Sequence, residues 1–317
     1  MPEAEKQTPG HWAIVLAGGE GERLKTFIRE RLGSDKPKQY CKLTGGGTLL
    51  EETLRRVAPL VPAERIVTVI GGDHRRFLNG EAALCGCFIE QPLMRETAPG
   101  IFLPAAHVLR ANPSATVLIL PSDHFIAPGE AFLRSLGKAA LLAEEWSEHI
   151  VLLGAVPEEA EQDYGWIEPD WAWSTGSSAM QVLRFEEKPG AQRAERLLEA
   201  GCLWNTMIMA VKVRTLWEIG RSRLPSMMRR FEALLPALGT PAEKEALLCA
   251  YQGMESLNFS REILEKTPER VMVLPMSGVE WSDLGRPARV DRALKRIEPE
   301  KARRGSSRLA FGARPAR

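Results

Sequence analysis

Short apolar runs alternate with longer stretches of helical periodicity through the first half of the chain. Ile14–Ala17, Arg65–Ile70, Cys87–Ile89, Thr116–Leu120 and Ile150–Leu153 are apolar runs of strand length, as expected of buried strands. Between them, Leu49–Val57, His74–Leu84, Ala98–Arg110 and Glu130–Glu145 read as helices. Strand–helix–strand repetition predicts right-handed crossovers and an α/β fold with a mixed, mainly parallel sheet. Near Tyr164 the pattern changes. Tyr164–Glu168 and Ala179–Glu186 read as strands around a turn-rich insert, Asp170–Ser178. A helix at Gln192–Ala200, a strand at Leu203–Val211, three helical stretches between Thr215 and Gly253 and a last strand at Val271–Pro275 follow. No internal repeat is evident.

Composition narrows the function classes. The chain has 317 residues, 44% hydrophobic and 26% charged, with a formal net charge of +1. That balance supports a sizeable core and gives no overall argument for nucleic acid or an acidic membrane. No apolar stretch approaches the roughly 18 residues that span a bilayer. The polar segment Met1–His11 has no apolar core of a secretion signal, so a cytoplasmic enzyme is expected. Five cysteines, an odd number without a C-x-x-C pair, argue against a disulfide framework and a zinc site; buried thiols are the expectation for most of them. Expected boundaries are a flexible tail over 1–11, a domain over 12–297 in two parts that divide at about 155, and a basic, disordered tail over 298–317.

Chemistry enters at the end of the first strand. Trp12-Ala-Ile-Val-Leu-Ala-Gly-Gly-Glu-Gly-Glu-Arg-Leu24 runs from apolar residues into a glycine-rich turn, and Lys36-Pro-Lys-Gln39 follows. Gly18, Gly19 and Gly21 let backbone N–H groups approach a phosphate. Arg23 and Lys38 can neutralise charge that develops during phosphoryl transfer. The spacing matches neither the dinucleotide fingerprint nor the P-loop. The alternative is a tight turn with solvated charges.

Further candidates recur at strand ends, where open α/β sheets bind ligands. Asp123, after Val117-Leu-Ile-Leu-Pro121, suits a Mg²⁺ ion bridging triphosphate oxygens; its competing role is a cap. Asp283 in Trp281-Ser-Asp-Leu-Gly285 is a second candidate ligand, or an ordinary turn aspartate. Lys188, followed by Pro189, is expected to have an extended backbone projecting its ammonium towards a second substrate's phosphate; Glu187 and Asn205 suit sugar hydroxyls. A solvated strand end would also explain the Glu-Lys pair. Thr97 can cap the helix that follows it. His124 has no partner identifiable from sequence.

Taken in order, these segments resemble the sugar-nucleotide pyrophosphorylase family, most closely its mannose-1-phosphate guanylyltransferase branch. The resemblance runs from about Ala13 to Gly285 and rests on Leu16–Leu24, Pro37-Lys-Gln39, Glu90-Gln-Pro-Leu-Met-Arg-Glu-Thr-Ala-Pro99, Pro121-Ser-Asp-His124, Tyr164–Glu168, Phe185-Glu-Glu-Lys-Pro189, Trp204-Asn205 and Trp281–Gly285. It implies a Rossmann-like, glycosyltransferase-A-type nucleotidyltransferase domain using Mg²⁺. The implied nucleotide contacts are Leu16, Ala17, Gly18, Gly19, Gly21, Glu22, Arg23, Lys38, Gln91, Thr97, Ala98 and Pro99. Arg23, Lys38 and Asp123 would be catalytic, with Asp123 and Asp283 on the metal. Gly165, Glu187, Lys188 and Asn205 would hold the sugar phosphate. The implied reaction joins GTP and mannose 1-phosphate to give GDP-mannose and diphosphate. Another hexose 1-phosphate or nucleotide, and a catalytically silent regulatory relative, are the competing readings. A homodimer is left open; nucleic acid and membrane are not expected partners. The chain departs from the family pattern at Thr26, Glu96, Met207, Phe259-Ser260 and Arg286-Pro287, mostly on the sugar side.

Overall fold

Alternate residues of the first strand enter different cores. In the computed structural model, which describes residues 10–78, 86–172 and 179–297, Ile14 packs in one core while Ala13, Val15 and Ala17 pack in the other. Both cores are apolar because helices cover both faces of the sheet. The strands are β1 (His11–Ala17), β2 (Ile66–Gly71), β3 (Cys87–Gln91), β4 (Thr116–Pro121), β5 (Phe125–Ala127), β6 (Ile150–Ala155), β7 (Gly165–Pro169), β8 (Met180–Glu187), β9 (Leu203–Lys212), β10 (Val271–Pro275) and β11 (Glu280–Ser282). The helices are α1 (Lys25–Leu32), α2 (Leu49–Val57), α3 (Thr97–Ala111), α4 (Gly129–Glu145), α5 (Ala191–Glu199), α6 (Val213–Arg223), α7 (Pro225–Leu234) and α8 (Glu243–Tyr251). A further helical segment covers 287–297.

Nine strands form one mixed sheet in the order β3-β2-β1-β4-β9-β6-β10-β8-β7. The block β3-β2-β1-β4 is parallel throughout, as the alternating pattern of the first half requires. β9 runs antiparallel between β4 and β6, and β7 pairs antiparallel with both β8 and β9. Helices α3, α6 and α7 pack on one face. Helices α2, α4 and α5 pack on the other. β1 has β2 on one side and β4 on the other. The chain therefore reverses its winding at β1, and the crevice beyond the carboxyl ends of β1 and β4 is where such a sheet takes ligands.

Several features differ from the sequence expectation. Helix α1 is unanticipated: its eight residues bury only Ile28, too little apolar repeat to reveal a helix. β5 and β11 form a separate antiparallel ribbon; strands of three residues leave little periodicity to read. His11 is already part of β1 and buried. The expected helix His74–Leu84 is a 3₁₀ turn over His74–Phe77, and its remainder beyond 78 lies outside the described residues. So do the tails 1–9 and 298–317 and the 173–178 portion of the turn-rich insert. Of the four described cysteines, Cys41 and Cys202 are buried, whereas Cys87 and Cys249 are exposed. The expected buried thiols are thus half of those described. No described helix is long and apolar enough to cross a membrane.

Candidate active site

The glycine loop is held from behind by two side chains of the Pro37-Lys-Gln segment. Gln39 Nε2 donates to the carbonyls of Ala17 (3.0 Å) and Gly19 (2.7 Å), and Tyr40 OH donates to Ala17 (3.1 Å). These bonds occupy carbonyls of the loop, which leaves its N–H dipoles as the groups available to an anion. Gly21 sits at φ 65°, and a Cβ there would lie 3.2 Å from the Lys38 backbone nitrogen. Any other residue would meet both backbone strain and a clash. On the outer side, buried His74 accepts the Gly71 N–H at Nδ1 (3.3 Å) and so carries its proton on Nε2, 3.1 Å from Glu20. The supporting roles of Gln39, Tyr40 and His74 were not evident from sequence, because each acts through contacts with distant segments.

Lys38 is the electrostatic centre. Its side chain is only 10% exposed, and Nζ lies 3.1 Å from Asp123 Oδ2. The same ammonium donates to the backbone carbonyl of Asp283. Asp123 and Asp283 thus flank one cation. The ribbon explains this: Phe125 pairs with Ser282, so the aspartates lie just beyond its last registered pair. Trp281 Nε1 donates to His124 Nδ1 across the ribbon (3.1 Å). Burial, only partly opposed by Asp123, lowers the His124 pKa to about 4; the ring is neutral and accepts this bond. His124 therefore gains the partner the sequence could not identify.

Asp283 carries a second set of bonds. Its Oδ1 accepts from Tyr164 OH (2.9 Å), Gly285 N (2.8 Å) and Arg289 Nη1 (2.7 Å). Burial alone would raise this carboxyl, but Lys38 and Arg289 overcome it and hold the pKa at about 2. Arg289 is itself buried, pairs with Glu161 and Asp163, and lies 4.4 Å from the Tyr164 ring centroid. Asp163 also accepts from Arg286 (2.6 Å) and lies 3.4 Å from Arg23, whose side chain is 58% exposed. This cluster has no signature in the sequence, since its members come from the segment before β7 and from the C-terminal helical segment.

Two cavities open on this region. One, of about 440 Å³, brings together Leu16, Gly18, Gly19, Gln91, Thr97 and Gly100. Gln91 lines it, and its buried Oε1 has no hydrogen-bond partner among the described residues. The other, of about 220 Å³, joins Arg23 and Asp283 to Gly165, Glu187, Lys188 and Asn205. Ala17, Gly21, Glu22, Lys38, Ala98, Pro99 and Asp123 line neither. Ala98 and Pro99 are tied into the fold instead: Ala98 N–H donates to Leu257 O (2.9 Å), and Tyr251 OH donates to Pro99 O (3.3 Å). Glu22 points to Lys25 at 3.3 Å.

Several local expectations are corrected. Thr97 does not cap α3. Glu96, at φ 67°, is the N-cap residue, and Thr97 Oγ1 accepts the Phe259 N–H (2.8 Å). Lys188 is not extended: it sits at φ 54°, its N–H bonded to Tyr164 O (3.2 Å), so the tertiary contact overrides the preference set by Pro189. Asn205 Oδ1 accepts from Met207 N (3.0 Å), which leaves its NH₂ for a ligand. A Cβ on Gly165 would lie 2.7 Å from the Phe185 ring and 2.8 Å from Glu187 Oε2. Burial raises the Glu187 carboxyl although Lys188 lies 3.7 Å away. Among the described residues, the non-glycine residues with positive φ are Glu96, Lys188, Met207 and Leu284. All four are at or beside these cavities, where strained backbone is commonly kept for function.

No group of three or more His, Cys, Asp or Glu side chains suited to a metal occurs among the described residues. The Asp123 carboxylate, which meets Lys38, nevertheless fits Mg²⁺, which commonly takes one or two carboxylates and completes its shell with water and substrate phosphates; Asp283 meets Lys38 through its backbone carbonyl, and its carboxylate Oδ1 is held by Tyr164, Gly285 and Arg289.

The sequence pattern of the nucleotidyl transferase family matches residues 12–298. The alginate biosynthesis protein AlgA of Pseudomonas syringae pv. tomato is 30% identical over 283 residues, covering 86% of this chain and 56% of that protein. A mannose-1-phosphate guanylyltransferase of Klebsiella pneumoniae is 31% identical over 284 residues, covering 86% and 57%. The chain thus spans little more than half the length of the curated relatives it matches. A solved structure described as mannose-1-phosphate geranyltransferase from Thermus thermophilus superimposes with a TM-score of 0.76 at 33% identity, covering 87% of this chain and 76% of that one.

Proposed function

The chain belongs to the nucleotidyl transferase family, and from that premise we propose that it joins GTP and mannose 1-phosphate to give GDP-mannose and diphosphate. The observation that carries this reading is Lys38, which meets Asp123 just past the β4 end and the backbone carbonyl of Asp283, a residue that lines the smaller cavity. A cation fixed there faces the charge that phosphoryl transfer develops, and positioning with charge stabilisation is most of what that chemistry needs.

In this reading the loop N–H groups and Arg23 hold the triphosphate, and the larger cavity takes the base. Gln91 Oε1 is a buried acceptor without a donor among the described residues, a state that costs free energy until a ligand N–H fills it; guanine carries an exocyclic amino donor. Lys188 binds the sugar phosphate while Glu187 and the Asn205 NH₂ orient the sugar. A sugar-phosphate oxygen attacks the α-phosphorus in line, the new P–O bond forms, and the α–β bridging bond breaks to release diphosphate. Asp123, with Asp283 beside it, would hold Mg²⁺, which supplies charge neutralisation on the phosphates when bound. Arg23 leaves Asp163 to reach its anion, an exchange that its exposure makes easy.

The test is diphosphate release from GTP, UTP, dTTP and ATP, each with mannose 1-phosphate and glucose 1-phosphate. GTP with mannose 1-phosphate is expected to turn over fastest. Turnover confined to UTP or dTTP overturns the guanylyl assignment. No release with any pair favours a binding protein that has lost catalysis.

A further inference from the structure

One residue of the sugar-side cavity has the wrong chemistry for a sugar hydroxyl. Met207 lies in β9, where the register against β6 shifts: Leu152 pairs with Met209 but Gly154 pairs with Asn205. A two-residue advance on β6 is met by four residues on β9, so the chain bulges at Thr206–Ile208. Bulges of this kind re-aim side chains beside active sites. Met207 adopts φ 57° at its centre, a conformation unfavourable for any side chain but glycine.

The surrounding bonds lock that conformation. Asn205 Oδ1 accepts the Met207 N–H (3.0 Å), Thr206 Oγ1 accepts the Ile208 N–H (3.2 Å), and the same hydroxyl donates to Leu153 O (2.6 Å). Ser260 Oγ lies 3.2 Å from Met207 Sδ, and its hydroxyl also bonds the Glu187 carboxylate. Ser260 opens a π-helical turn, Ser260–Leu264, a distortion frequent at functional sites. The bulge, the left-handed backbone and the π-turn all act to hold one thioether against the cavity that also carries Glu187, Lys188 and Asn205.

We propose that Met207 is a specificity-determining residue and that the cavity prefers a deoxyhexose 1-phosphate over the fully hydroxylated sugar. This rests on the sugar-1-phosphate reading given above and refines its sugar: mannose 1-phosphate turns over, and a deoxy analogue turns over faster. A thioether has no donor and only a weak acceptor. A sugar hydroxyl turned towards Met207 loses its water and gains no partner, whereas a CH₂ or CH₃ at that position loses nothing. The opposite side of the cavity, with Glu187, Lys188 and the Asn205 NH₂, recognises the remaining polar groups. An apolar wall discriminates against an added hydroxyl by roughly 10–100-fold, and no more.

The experiment compares kcat/KM for mannose 1-phosphate with that for its 2-, 3-, 4- and 6-deoxy analogues. Wild type, Met207→Gly and Met207→Gln are used, with diphosphate release as readout and thermal melting as a check on folding. In wild type one deoxy analogue is expected to exceed the parent by about 10-fold or more. Met207→Gly, which opens the wall to water, brings the ratio to within a few-fold of unity. Met207→Gln, of similar length but able to donate and accept, moves the preference towards the parent sugar. Turnover in which wild type favours the parent over every deoxy analogue overturns the role given to Met207. So does a ratio that neither substitution alters. No diphosphate release with any nucleotide and any of these sugars overturns the transferase reading itself, and this inference with it.

Discussion

Arg23 bears on activity and hardly on stability. Arg23 is mostly exposed and meets Asp163 at 3.4 Å, so its ion pair adds little to folding. Arg23→Ala should leave the denaturation midpoint nearly unchanged yet lower kcat/KM by about 100-fold or more, and Asp123→Ala should lower it similarly. Near-normal rates in both variants would remove them from the site. His124 makes the opposite case. Burial holds its folded pKa at about 4 against an ordinary value of 6.5, so the unfolded chain binds the proton more readily than the folded one. The stabilisation is complete above pH 6.5 and is lost as pH falls towards about 4, with a total on the order of 3 kcal/mol. Urea midpoints measured across that window should fall for wild type and fall less steeply for His124→Gln; parallel slopes would refute the assignment. At this scale the cationic loop residues and Asp123 were legible, because charge after an apolar strand is a local pattern. The caging of Lys38 and the neutrality of His124 were not, because they depend on Asp283, 245 residues from Lys38, and on Trp281, 157 residues from His124.

Among elements, the β5–β11 ribbon sets the site and α2 does not. Trp281→Phe removes the N–H that His124 Nδ1 accepts, leaving a buried acceptor unpaired at a cost of about 1–3 kcal/mol. Because the ribbon sets Asp123 and Asp283 around Lys38, kcat should drop by more than KM rises. Unchanged kcat in a folded variant would mean that the ribbon does not align the aspartates. α2 begins with a capping box: Thr48 Oγ1 accepts from Glu51 N (3.2 Å), and Glu51 Oε2 accepts from Thr48 N (2.8 Å). Thr48→Ala should cost about 1 kcal/mol in chemical denaturation and leave kcat/KM as it was; a matching fall in activity would tie α2 to the chemistry. The long elements could be read from their periodicity. The ribbon and α1 could not, since three-residue strands and a helix with one buried side chain carry no pattern for a sequence to display.

For the molecule as a whole, the site lies where the parallel block β3-β2-β1-β4 meets the mixed half of the sheet, so a nucleotide should tie both halves together. A ligand that binds only the folded state stabilises by about 2.7 kcal/mol at 100 times its Kd, which for a chain of this size is roughly 5 °C in Tm. Scanning fluorimetry with Mg²⁺ and GTP should show such a rise, and UTP at the same concentration a smaller one; equal shifts would argue against guanine selection. The sequence by itself determined the parallel Rossmann-like half, the glycine loop after its first strand and the order of the motifs, because apolar period, glycine and charge act over a few neighbouring residues. Only the tertiary structure decided that Asp123 and Asp283 share one lysine, that Arg289 holds Asp283 from behind, and that Met207 is turned into the cavity with Glu187, Lys188 and Asn205. Those outcomes depend on pairing register and burial between distant segments, and neither is written in any local stretch of the chain.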